Sequence, residues 1–287
     1  MTEPKVISFL SAPGGVGKTS IAVLLSWFLK ERNKPNLLID LDPSLGLTLK
    51  LKDIQKYYAD IENHKRTSAD LLKLANRNEL AKSDIKQFIS RSRFQSVTLD
   101  FIASSIRLED VMGEIWYGSS LGRSKKLQQS LKFIPKKTYN YILIDVIPCY
   151  GLKYALLNVI ASDICFVPLR ITLNDLGRTI LMMRELGKKA SGEIAVDELQ
   201  KKLIFIFNMV RHYDEDLVSS YGKRLLKEFP NATYFDNFIS KRVHFNRINT
   251  QEEKSGDEAK VREAFTPFYE EFEDKLMNSS QLNSFLK

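Results

Sequence analysis

Directly after the apolar run Val6–Ser11 the chain reads Ala12-Pro13-Gly14-Gly15-Val16-Gly17-Lys18-Thr19, and Ser20–Lys30 follows with amphipathic helical spacing. Gly14, Gly15 and Gly17 allow a close backbone approach and left-handed turns that other residues resist. A helix that starts directly behind such a turn aims its free N–H groups and the positive end of its dipole at one point, which suits an anion. Lys18 adds an ammonium for outer phosphates and Thr19 a hydroxyl for Mg²⁺. Glycines alone could form a tight strand-to-helix connection. Packing does not call for a lysine and a hydroxyl at the helix start, so the segment is a candidate phosphate loop, with Ala12 where the full pattern carries its first glycine.

Carboxylates are the next requirement, because ligands of open α/β sheets sit beyond the carboxyl ends of the strands. Asp40 and Asp42 close Leu37-Leu38-Ile39-Asp40-Leu41-Asp42-Pro43, and Asp145 closes Tyr141-Ile142-Leu143-Ile144-Asp145. A carboxylate after an apolar run is placed to serve a phosphate-bound Mg²⁺, usually through water. A strand-end aspartate is also a common turn former. Three of them in one chain with a phosphate loop favour the metal.

The elements that must hold these residues follow from periodicity. Short apolar runs alternate with longer amphipathic stretches, the pattern of βα units on a parallel sheet. Strands are predicted at Val6–Ser11, Asn36–Leu41, Val97–Ala103, Tyr141–Ile147, Ile164–Leu169, Leu203–Asn208 and Thr233–Phe238. Helices are predicted at about Lys18–Arg32, Ala69–Asn76, Ser83–Ser90, Arg107–Glu114, Ser124–Phe133, Lys153–Ala161, Leu173–Lys189, Glu215–Glu228 and Asp257–Leu276. The fold class is therefore α/β: a three-layer, doubly wound, mostly parallel sheet in one domain over residues 1–277. Residues 53–96 read as a helical insertion without a strand, Gly113–Ser124 as a flexible loop, and 278–287 as a flexible tail.

Composition agrees with a globular protein of this size. The 287 residues are 44% hydrophobic and 27% charged, and 43 Lys+Arg against 35 Asp+Glu leave a net charge of +8, which excludes a mostly disordered or fibrous chain. No window reaches the roughly 18 apolar residues of a membrane helix, and the N-terminus lacks the order of a secretory signal. Cys149 and Cys165 have no metal or redox spacing and read as buried free thiols, which fits a reducing cytoplasm. His64, His212 and His244 show no metal-ligand spacing.

Taken together, the motifs resemble the ParA/MinD superfamily of deviant phosphate-loop ATPases (SIMIBI class), and its ParA partition branch most. The residues that carry this are Gly14–Thr19, Leu38–Pro43, Leu99–Ser105 with Leu108, Tyr139–Asp145 with Pro148, Ala161–Asp163 leading to Val167-Pro168, and Ile239–Val243. The resemblance implies ATP/ADP and Mg²⁺ as cofactors, with Gly14, Gly15, Val16, Gly17, Lys18, Thr19 and Ser20 around the phosphates. It assigns catalysis to Lys18 and Asp42, the latter orienting the attacking water. Thr19, Asp40 and Asp145 would serve the metal, and Asn208 would read adenine. The implied partners are a second copy of the chain in the ATP state, nonspecific double-stranded DNA and a ParB-like centromere-binding protein. The activity implied is ATP hydrolysis in plasmid or chromosome partitioning, in the cytoplasm and on the nucleoid.

One departure matters. The family carries a second lysine four residues before the last loop glycine, reaching across the dimer to the partner's nucleotide, and Pro13 stands there. A proline ring offers neither charge nor N–H, whereas cationic fingers contribute on the order of 10³–10⁵ in rate where they act. Slow hydrolysis or a different cation follows, with Arg123 and Lys125 of the Gly118–Lys126 loop as candidates.

Basic residues gather in Arg123–Lys137, Arg184–Lys189, Lys223–Lys227 and Lys241–Arg247, against an acidic C-terminal helix. Such asymmetry suits a surface that meets phosphate backbones. By resemblance Lys241, Arg242 and Arg247 are the DNA-binding candidates. The acidic C-terminal stretch differs from the basic membrane helix of MinD-like relatives and argues against membrane attachment. Two other classes stay open: a hydrolysis-poor nucleotide switch in positioning or transcription, which Pro13 favours, and a small-molecule kinase or ligase sharing the phosphate loop.

Overall fold

The computed structural model describes residues 3–80, 85–118, 122–135, 137–148 and 152–278. Its strands are β1 (Lys5–Phe9), β2 (Asn36–Leu41), β3 (Ile89–Phe94), β4 (Val97–Ile102), β5 (Tyr141–Val146), β6 (Ile164–Leu169), β7 (Leu203–Val210), β8 (Thr233–Tyr234) and β9 (Ile239–Ser240). They form one sheet in the order β3-β4-β2-β5-β1-β6-β7-β8, with β9 on β7. Every pairing is parallel except β3 with β4.

The helices are α1 (Lys18–Glu31), α2 (Gly46–Leu51), α3 (Ile54–Tyr57), α4 (Ser68–Asn76), α5 (Ile85–Phe88), α6 (Leu108–Tyr117) and α7 (Lys126–Leu131). They continue with α8 (Lys153–Ala161), α9 (Leu173–Ala190), α10 (Val196–Lys202), α11 (Leu217–Glu228), α12 (His244–Arg247) and α13 (Asp257–Glu273). Central strands read as unbroken apolar runs because both of their faces are covered. In β5, Ile142, Ile144 and Val146 enter one core while Tyr141 and Leu143 enter the other. The first core lies under α4 and α6 to α9, and the second under α1 and α13, where the ring of Phe28 meets those of Phe265 and Tyr269 at 5.1 and 5.4 Å. This is the predicted three-layer, doubly wound α/β fold. Strand order reverses around β1, so a crevice opens at the carboxyl ends of β1, β2 and β5.

The insertion differs from its prediction. Residues 53–96 hold α3, a π turn at Tyr58–Glu62, α4 and α5, but also β3, which pairs antiparallel with β4 across the two-residue turn Gln95-Ser96. The helix expected over Ser83–Ser90 is helical only at Ile85–Phe88 among the described residues. The reason is position: β3 is an edge strand, and its Arg91 and Arg93 are the charged residues that blunt such edges and hide the strand pattern. Gly113 lies inside α6 rather than in a loop. Thr233–Phe238 contracts to β8 and is followed by β9. Cys165 is buried and free, whereas Cys149, Ser119–Leu121 and 279–287 lie outside the described residues.

Candidate functional site

The sequence Ala12–Gly17 turns directly from β1 into α1, and its geometry is left-handed where it must be: Gly15 has φ 69° and Gly17 has φ 88°. Gly17 is also crowded, since a Cβ there would stand 2.2 Å from the Asn208 amide nitrogen. That amide, at the carboxyl end of β7, donates to the Val16 carbonyl at 2.7 Å, while its oxygen accepts from Met209 N–H at 2.8 Å. Asn208, assigned to adenine by resemblance, is thus placed against the back of the loop and clamps it.

Lys18 opens α1 and is only 6% exposed. Its ammonium donates to Ser11 Oγ at 2.7 Å, and Ser11 Oγ donates to the Pro13 carbonyl at 2.8 Å. Burial deprives an ammonium of water, so the hydroxyl partner and nearby carboxylates offset part of that cost. Gly14 and Gly15 are exposed, Ser20 is half-buried, and Pro13 is buried with its carbonyl tied down. The position of the family's reaching lysine is therefore turned into the loop in this chain.

Thr19 Oγ1 donates to Asp145 Oδ2 at 2.6 Å, joining the first turn of α1 to the end of β5. Asp40 ends β2 in register with Asp145. Asp40 Oδ1 accepts from Asp42 N–H at 3.0 Å, and Oδ2 accepts from Thr48 N–H at 2.9 Å and Thr48 Oγ1 at 2.6 Å. Asp145 is 1% exposed, and its Oδ1 has no hydrogen-bond partner among the described residues. Both carboxyls titrate above the usual range. For Asp40 the first cause is burial and the second the charge of Asp145. For Asp145 burial leads, opposed by the Thr19 hydroxyl and the Lys18 charge. Two buried acids side by side, one with a bare oxygen, are a place where a divalent cation lowers the energy, and hard oxygen donors are the ligands Mg²⁺ takes.

Asp42 is half-buried and accepts from Ser44 N–H at 2.8 Å, and its charge is felt by Asp145. Tyr154, near the start of α8, donates to Glu109 at 2.8 Å, and the charge of Asp42 is among those that push its phenol pKa up after burial.

The structure brings together Gly14–Ser20, Asp40, Asp42, Asp145 and Asn208 at one end of the sheet. It separates the DNA candidates. Lys241 and Arg242 are exposed beside Val243, which is 63% exposed. Arg247 instead pairs with Asp257 at 3.1 Å, and His244 Nδ1 lies 2.8 Å from the same carboxylate oxygen. Arg123 donates to the Trp116 carbonyl at 2.7 Å and Lys125 pairs with Glu193 at 3.4 Å, so both are engaged with their own chain. Sequence reasoning missed Ser11 and Thr48. Ser11 adjoins the loop and was open to notice. Thr48 lies in the leucine-rich stretch Leu45–Leu51, which carries no site motif, and only the fold returns it to Asp40.

A phosphate loop at the switch point of a doubly wound sheet, backed by strand-end carboxylates, defines a nucleotide-binding α/β protein. The AAA domain family model matches residues 4–189. An uncharacterised protein of Methanocaldococcus jannaschii is 32% identical over 211 residues, 71% of this chain and 72% of that one. The sporulation initiation inhibitor protein Soj of Bacillus subtilis is 28% identical over 67% of this chain and 70% of its own. A Cyanothece McdA variant solved as its ATP complex superposes with a TM-score of 0.71 at 18% identity, over 95% of this chain and 96% of that one. The chain belongs to this AAA domain family. No described helix is long and apolar enough to cross a membrane.

Proposed function

We propose that this chain is an ATP-dependent partition switch: it takes up ATP and Mg²⁺, pairs with a second copy, binds double-stranded DNA without sequence preference, and resets by hydrolysis under a ParB-like centromere-binding partner. One observation supports the reading above others. The buried Lys18 ammonium sits at the loop while Thr19 bridges to an Asp145 carboxylate that lies in register with Asp40. Lys18 leaves Ser11 to hold the outer phosphates, and the loop N–H groups and the α1 dipole share that charge. Thr19, Asp40 and Asp145 are the residues that hold Mg²⁺, directly or through water. When bound, the ion neutralises charge that builds on the phosphates during transfer. Asp42 orients the attacking water, and Asn208 keeps the loop in place and borders the adenine. Lys241 and Arg242 meet DNA. The cytoplasm, on the nucleoid, is the compartment that matches this role.

Pro13 supports a second reading, a switch that binds nucleotide but hydrolyses it poorly. Turnover measured alone, with DNA, and with DNA plus a ParB-like centromere-binding protein separates the two. Stimulation by DNA and partner supports the first, and nucleotide-dependent dimers on sizing without turnover support the second. Calorimetry that detects no ATP uptake overturns both.

A further inference from the structure

A groove of about 610 Å³ runs between α2, the edge strand β3 and the segment 249–253, and no residue of the phosphate loop lines it. That volume lies in the range of small-ligand sites, roughly 300–1,000 Å³. Its charged lining is Lys50, Lys52, Arg93, Asp53 and Glu253.

The carboxylates of this groove are already used. Asp53 caps α3 by accepting from Gln55 and Lys56 N–H at 2.9 and 3.3 Å. Glu253 accepts from the Gln95 side-chain amide at 3.0 and 2.9 Å and from Asn249 N–H at 2.7 Å. Lys52 pairs with Asp60 at 2.9 Å.

The remaining cations are not matched in this way. The Lys50 ammonium reaches the Phe245 carbonyl at 3.4 Å and has no ion pair among the described residues, and burial lowers its pKa. Arg93 donates its Nε to the Gln95 carbonyl at 3.2 Å and likewise has no ion pair among the described residues. The unmet hydrogen-bonding capacity of the groove is therefore donor capacity on two cations, one a point charge and one a planar fork, a combination that fits a multiply charged oxyanion.

We propose that this groove binds the phosphate group of an anionic ligand through Lys50 and Arg93. The groove is linked to Asp40, since Lys50 and the Thr48 that holds Asp40 share the six-residue helix α2.

The test is calorimetry of the full chain without Mg²⁺, titrated with inorganic pyrophosphate in one arm and a short duplex DNA in the other. The variants are Lys50→Gln/Arg93→Gln, Lys18→Ala to silence the loop, and Lys56→Gln as an exposed control, each checked for fold by circular dichroism. In the Lys18→Ala background the groove variant is expected to weaken pyrophosphate at least about tenfold, and in the native background to remove one of two pyrophosphate sites, with Lys56→Gln within about twofold. If duplex DNA alone is weakened by the groove variant, the phosphate is that of a nucleic-acid backbone. If neither arm responds, or Lys56→Gln matches the groove variant, the proposal fails. Should Lys18→Ala not fold, loss of one of two pyrophosphate sites in the native background decides it.

Discussion

Asp40 and Asp145 stand in register on the adjacent parallel strands β2 and β5, both buried, with one oxygen of Asp145 lacking any hydrogen-bond partner among the described residues. Like charges this close in a dry setting favour retention of a proton in the absence of a cation.

The first prediction concerns pH. Both folded carboxyls are raised above 3.8, Asp40 to about 8 and Asp145 to about 6, so the folded state binds more protons than the unfolded one between about pH 4 and 8. Stability of the metal-free protein is then greatest at the acidic end of that window and falls as pH rises through it. Asp145→Asn keeps an acceptor for Thr19 and removes one charge, so it should raise metal-free stability at pH 8 by on the order of 1 kcal/mol. The same variant should lose the thermal shift given by Mg²⁺ with ATP. Melting curves across pH, with and without Mg²⁺, check both points.

Lys18→Ala should weaken ATP by about a hundredfold or more, because no other side chain brings a cation to the loop from the start of α1. Calorimetric titration reads the loss, and retained affinity would remove the site.

Asn208 acts at a distance of 192 residues along the chain, through its 2.7 Å bond to Val16. Asn208→Ala leaves that carbonyl unpaired and should cost about 1–3 kcal/mol in stability, with a weaker hold on ATP. Gly17→Ala should be worse, because it combines the positive φ with a contact on the Asn208 amide. Urea denaturation of the two variants ranks them.

Pro13→Lys restores a cation without disturbing the carbonyl that Ser11 holds. It is expected to raise ATP turnover by at least about tenfold if a lysine there reaches a partner's nucleotide. An unchanged rate, with ATP-dependent dimers still formed, would show that another residue has taken over the role.

The DNA-binding candidates should part company. Lys241→Gln/Arg242→Gln should weaken DNA binding and reduce the salt dependence by about 2 counterions. Arg247→Gln should instead lower the melting temperature, since it leaves Asp257 and His244 without their cation. Anisotropy titrations at several salt concentrations, set beside melting curves, distinguish them.

Much of this protein is written locally. The phosphate loop, the apolar runs ending in Asp40 and Asp145, and the helices α1, α8 and α9 are contiguous, and contiguous signals survive in a sequence because each element needs its own residues in its own order. The edge strand β3 escaped because solvent-facing Arg91 and Arg93 replace the alternation that a buried strand would show. The supporting contacts could only come from tertiary structure. Thr19 meets Asp145, Asn208 meets Val16 and Arg247 turns to Asp257 because packing of two cores on one sheet brings distant segments together. Spacing along the chain carries no record of such pairs, and burial, which sets the charge state of Asp40 and Asp145, exists only once both faces of the sheet are covered.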